Sequence, residues 1–149
     1  MCESRGPSLP PWLKLSLRIV LAGYWVAMGL GTHLPNPPDV VPSNVSDTWL
    51  HLGAYLGLGV LLVLARLCRT RWQAFGLACA YGAMDELTQM IPVLHRSAEW
   101  KDLAADVVGA GLGVVIGGLC AAWADSWFGC RAGSDREPTA ADDREHTDS

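Results

Sequence analysis

The chain has 149 residues and a mass of 16.0 kDa; 50% of its residues are hydrophobic, only 17% are charged, and its mean hydropathy is +0.21. That length allows one domain or one small membrane bundle, and a charged fraction well under the roughly 25% of soluble domains argues against a water-soluble enzyme. The net charge of −4, from 11 basic and 15 acidic residues, supplies no basic field for a phosphate backbone and argues against a nucleic-acid partner.

Crossing a hydrocarbon core of about 30 Å takes roughly 20 mostly apolar helical residues. After an N-terminal segment, 1–12, four stretches meet or approach that need: 13–31, 49–67, 72–91 and 101–123. The first carries Lys14 and Arg18 ahead of its apolar run, as a cleaved signal would. No small-x-small cleavage site precedes the loop of Pro35, Pro37, Pro38 and Pro42, so the segment is expected to remain as a span. A basic loop, 68–71, separates the second and third stretches, and a polar loop, 92–100, the third and fourth. No period-2 alternation runs through any of them, which disfavours a barrel. Beyond 123 come seven acids and three bases, the whole of the net charge, with almost no large apolar residue after Phe128. Such a segment, 124–149, is expected to be a disordered tail. The expected fold class is therefore an all-α membrane protein, a bundle of four transmembrane helices over 13–123 with an acidic disordered C-terminal tail.

Lys and Arg favour the cytoplasmic side. With both termini inside, that side holds Arg5, Lys14, Arg18, Arg66, Arg69, Arg71, Arg131, Arg136 and Arg144, and the other only Arg96 and Lys101. Trp12, Trp72, Trp123 and Trp127 then fall at inner boundaries and Trp49 and Trp100 at outer ones, where indoles prefer to lie. None of Cys2, Cys68, Cys79, Cys120 and Cys130 falls in an outer loop, so no disulfide is expected, and no Cys/His spacing suits zinc.

Ionisable side chains inside spans are costly, and here they share the outer level. Asp47 and His51 open the second stretch, Asp85, Glu86 and Gln89 close the third, and Asp102 and Asp106 open the fourth. Asp47, His51 and Tyr55 recur every four residues, on one helix face. Along the fourth stretch, Asp102 and Asp106 pass into Gly109, Gly113 and Gly117 on a single stripe, and glycines at that spacing let helices approach closely. Similar small residues, Gly23, Ala27 and Gly31 in the first stretch and Gly53 and Gly57 in the second, read as packing positions. Each polar residue also has a plain structural reading. Ser46 or Asp47 would cap a helix, Ser97 would cap the fourth with Glu99 in its first turn, and Asp102 would pair with Arg96 or Lys101. Glu86 and Asp106 lie more than a turn inside and need partners, His51 or Arg96, or a proton. The set suits acid/base work on a polar headgroup, with His51 and Glu86 as the hypothetical pair, or binding of a charged ligand. No cofactor is required, and a divalent cation held by the carboxylates stands as an alternative.

The runs Asp47-Thr-Trp-Leu-His51-Leu-Gly-Ala-Tyr55, Asp85-Glu86-Leu-Thr-Gln89 and Arg96-Ser-Ala-Glu-Trp-Lys-Asp102-Leu-Ala-Ala-Asp106-Val-Val-Gly109-Ala-Gly-Leu-Gly113 resemble the VanZ-like family of bacterial membrane proteins. The resemblance implies a multi-pass protein of the bacterial cytoplasmic membrane, a place in the cell envelope and a link to resistance to the glycopeptide teicoplanin. It also implies site residues Asp47, His51, Tyr55, Glu86, Gln89, Arg96 and Asp102, with Gly109 and Gly113. The chain departs from the family pattern with Thr48 in place of Lys, Leu94-His95 in place of Pro-Gly, and Asp106 in place of Asn. Three functions follow as expectations: a protein whose outward polar pocket binds or modifies an envelope lipid or cell-wall precursor, a hydrolase or transferase on a lipid-linked or phospholipid headgroup with Arg96 clamping a phosphate, or a structural helper of a larger membrane complex. No GxSxG or HExxH motif marks the second.

Overall fold

The computed structural model describes residues 9–33, 46–89 and 100–134, except for the side chains of 32, 33, 89 and 129–134. Four helices account for nearly all of them: α1 (Pro11–His33), α2 (Asp47–Leu64), α3 (Arg71–Gln89) and α4 (Trp100–Ser134). Among the described residues there is no strand.

Local chemistry sets the ends. α1 begins on Pro11, where a missing N–H costs nothing. After α2, Arg66 turns the chain with φ at 49°, and α3 opens on a reciprocal cap. Gln73 N donates to Thr70 Oγ1 at 3.2 Å, while Gln73 Oε1 accepts from the backbone N–H groups of Arg69 and Thr70 at 3.0 and 3.2 Å.

Close contacts fix the direction of each helix. A Cβ added at Gly109 would strike Leu52 O, one at Gly113 would strike Leu56 O, and one at Gly117 would lie 3.0 Å from Val60 Cα. Both partners advance by four residues together, so α2 and α4 run parallel, backbone against backbone. In α3 the order reverses: Arg71 lies at Gly118, Phe75 at Gly111 and Gly82 at Asp106. α1 also runs opposite to α2, with the Tyr24 hydroxyl donating to Ala54 O at 2.8 Å, while its next turns line a recess with Leu50 and His51. The bundle alternates up and down, and α2 and α4 form its most extensive contact. Leu58, Leu62, Ala78 and Ala110 are wholly buried between the helices.

Apolar side chains also cover the outside: Leu15, Ile19, Val26 and Leu30 on α1, and Val108, Val115 and Leu119 on α4 are exposed. In a soluble fold such a surface would drive aggregation; in lipid it is the solvent-facing surface. Three helices, Pro11–Gly31, Asp47–Leu64 and Trp100–Phe128, are long and apolar enough to cross a membrane. The chain is an all-α membrane protein. α3 falls short of that measure because it carries Gln73, Asp85 and Glu86, but both acids are buried against the other helices, while Leu77, Met84 and Leu87 face out. At 19 residues it is about 28 Å long, enough to follow its neighbours through the core.

Two expectations need correction. α4 does not stop near 123 but continues to Ser134, so the segment expected to be a disordered tail begins as helix. Ala121, Ala122 and Ala124 favour helix without large apolar groups, and Arg66 pairs with Asp125 to hold the extension against the α2–α3 turn. Residues 135–149 lie outside the described residues. The small series of α1 is not a packing stripe: Gly23 and Gly31 have nothing within 4 Å of an added Cβ, and neither has Gly53 in α2. α1 docks instead through Leu21, Tyr24, Trp25 and Met28. Gly57 does pack, 2.5 Å from the Tyr24 hydroxyl by the same measure.

Candidate functional site

The polar residues converge at the end of the bundle where α2 and α4 begin and α3 ends. The glycine contacts draw α2 and α4 together, and their polar first turns meet just beyond. His51 Nδ1 lies 2.9 Å from Asp106 Oδ1, with the histidine 6% and the aspartate 0% exposed. One turn toward the helix starts, the Thr48 hydroxyl donates to Asp102 Oδ1 at 2.8 Å. The Tyr55 ring, one turn deeper, lies parallel to the His51 ring with centroids 6.5 Å apart.

α3 completes the site. Gly82 gives the Asp106 carboxylate its room, because a Cβ there would lie 3.1 Å from Asp106 Oδ2 and 3.2 Å from Tyr55 Cε1. One turn on, Glu86 is buried and brings a carboxylate oxygen within 4.8 Å of ligand atoms on both His51 and Asp106. Asp85 beside it is buried as well. A second group, Asp47, His51 and Asp102, meets the same distance limit at the mouth of the site, with Asp47 exposed. A cavity of about 190 Å³ between α1 and α2 reaches Asp47, His51 and Tyr55 from the side, past Met28 and Leu50.

Three oxygens in this region are unsatisfied. Asp106 Oδ2, Glu86 Oε1 and Tyr55 Oη are buried with no hydrogen-bond partner among the described residues. Buried polar atoms without partners are rare in native structures, and each one needs a reason.

Of the residues expected in the site, His51, Tyr55, Glu86, Asp102 and Asp106 come together, with Asp47 at their rim. Gly109, Gly113 and Gly117 pack as expected. The partner of His51 is Asp106, whereas the expected acid/base pair joined it to Glu86. Asp102 accepts from Thr48, and Ser46 occupies the N-cap of α2 without a side-chain capping bond. Arg96, Ser97 and Glu99 lie outside the described residues, as does the side chain of Gln89. Thr48 and Gly82 were not expected in the site. Thr48 could have been found three residues before His51 on the same face, and Gly82 four residues before Glu86.

A family model described as VanZ/LLP1 matches residues 20–121, the span that contains every residue of this cluster. The chain belongs to the VanZ/LLP1 family. The match takes in most of the bundle, from the middle of α1 to residue 121 in α4, so the VanZ/LLP1 assignment covers fold and site together. Neither comparison with curated proteins nor comparison with solved structures gave a match.

Proposed function

We propose that this VanZ/LLP1 protein lies in the bacterial cytoplasmic membrane with both termini inside and uses an outward-facing polar pocket to bind or modify an envelope component, a lipid headgroup or a cell-wall precursor. One observation carries the reading: three helices bring His51, Glu86 and Asp106 to one level, with buried carboxylate oxygens that find no partner among the described residues. Packing alone gives no reason to bury two carboxyl groups there, since apolar side chains would fill the same space at lower cost. A link to glycopeptide resistance follows from the family and belongs to this same reading.

A catalytic version has its own support. A carboxylate on one imidazole nitrogen fixes the tautomer and orientation of His51, as general acid/base histidines require. His51 with Asp106 is then the proton-transfer unit, and Glu86 faces the reacting group.

The test compares envelope lipids and cell-wall precursors from wild-type cells, deletion cells and cells carrying Glu86→Ala. A species that changes in the deletion and in Glu86→Ala alike is expected, and its chemistry names the substrate class. Unchanged lipids and precursors in both strains would overturn the proposal.

A further inference from the structure

We propose that His51, Glu86 and Asp106 form a binding site for one divalent first-row metal ion, of the zinc or manganese type. The inference deepens the proposed function, since it rests on the same pocket, and it arises from three independent features of that pocket.

The first is geometry. Two ligand atoms each about 2.1 Å from one ion lie about 3 Å apart at right angles and about 3.4 Å apart at the tetrahedral angle of zinc. His51 Nδ1 and Asp106 Oδ1 are 2.9 Å apart, as adjacent ligands would be. Glu86 approaches from the third helix, with a carboxylate oxygen within 4.8 Å of both residues' ligand atoms. Ligation would bring that oxygen closer, a movement for which the Glu86 side chain has three rotatable bonds.

The second is satisfaction. Asp106 Oδ2 and Glu86 Oε1 are buried without partners, and their residues are 0% and 7% exposed. An ion held by Glu86 and by both oxygens of Asp106, Oδ1 beside His51 and the unpartnered Oδ2, supplies the missing partner to both carboxyl groups at once. The third is charge. Among the described residues no Lys or Arg pairs with Glu86 or Asp106, and the neighbour of Asp106 is the His51 imidazole. A neutral imidazole and two carboxylates sum to −2, which a divalent cation cancels.

The donor set narrows the metal. Imidazole suits zinc, iron and copper, whereas carboxylates suit magnesium, calcium and manganese, so one nitrogen and two carboxylates favour Zn²⁺, a borderline ion that takes both donors, or Mn²⁺, a harder ion that the carboxylates suit. Three protein ligands leave a position open for water or for an oxygen of a headgroup. Around them, Asp102 is held by Thr48 and the His51 ring is stacked on Tyr55, which orients the ligands from outside.

The test uses the full chain, purified in detergent and stripped with chelator, then titrated with Zn²⁺ and Mn²⁺. The expected stoichiometry is one ion per chain. Bound Mn²⁺ is expected to show nitrogen coupling from His51 by pulsed electron paramagnetic resonance. Asp106→Asn and Glu86→Gln keep the side-chain shapes and are each expected to weaken binding at least tenfold, and ion addition should raise the melting temperature of the wild type but not of the variants. Circular dichroism in the absence of metal establishes that the variants are folded. Wild-type protein that takes up no ion, or variants that bind as tightly as the wild type, would overturn the site whatever the envelope comparison returns. A loaded protein whose deletion leaves the envelope unchanged keeps the metal site and removes the envelope assignment instead.

Discussion

At the scale of single residues, the site is held by few interactions, and each has a separable consequence. The Thr48 hydroxyl on Asp102 joins α2 to α4 across their first turns. Thr48→Val is expected to lower stability by about 0.5–1.5 kcal/mol and Thr48→Ser to retain most of it, as read by thermal unfolding in detergent. Tyr55 behaves in the opposite way. Its hydroxyl is buried without a partner among the described residues, so Tyr55→Phe is expected to leave stability unchanged or raise it by up to about 1 kcal/mol. A fall in stability of that size would show that the hydroxyl is bonded in the folded protein. The individual site residues were largely legible in the sequence, because a carboxylate or imidazole inside an apolar run has few reasons to be there. Their pairing was not: Glu86 and Asp106 are equally plausible partners for His51 on spacing alone, and the close approach of α2 to α4 at Gly109 and Gly113, with the room left by Gly82, sets Asp106 beside it.

At the scale of elements, glycines divide into those that bear contacts and those that do not. Gly109→Ala and Gly113→Ala would drive a methyl group into the backbone carbonyls of Leu52 and Leu56, which cannot swing aside as a side chain can. A loss of about 1–3 kcal/mol or more is expected for each. Gly23→Ala and Gly53→Ala meet open space and are expected to be neutral or stabilising, since alanine favours helix over glycine by about 1 kcal/mol. Unfolding of the four variants under one condition tests the contrast. The spacing of Gly109, Gly113 and Gly117 was readable because it continues the stripe of Asp102 and Asp106. The α1 series has the same spacing but no polar companion, and it faces outward. The turn between α2 and α3 gives a further prediction. Arg66 holds a left-handed φ of 49°, so Arg66→Gly relieves backbone strain while losing an ion pair that is over a third exposed on both sides. The two effects are of similar size, and thermal unfolding should move by less than about 1 kcal/mol.

For the whole molecule, charge and hydropathy gave the fold class directly, because four apolar runs separated by polar loops leave little else to build. α4 runs past 123 where Ala121, Ala122 and Ala124 favour helix and where the Arg66–Asp125 pair and the stacked Trp123 and Trp127 rings lie along the extension, features that a count of apolar residues beyond Phe128 does not register. Orientation remains a prediction from the basic residues. In a cysteine-free background, Ser46→Cys is expected to react with an impermeant maleimide from outside intact cells and Thr70→Cys only after permeabilisation. The reverse pattern would invert the bundle and turn the site inward. The parallel pairing of α2 and α4 has one more consequence, for biogenesis. Two parallel neighbours cannot form as a hairpin; the chain must cross back through α3 before α4 arrives. His51 and Glu86 therefore enter the membrane while Asp106 is still to be inserted, and a nascent chain ending before α4 leaves both without the helix that packs over them. Truncation ahead of residue 100 thus creates a species with bare polar groups in the bilayer, the kind that membrane quality control removes, and completion of the site coincides with completion of the chain.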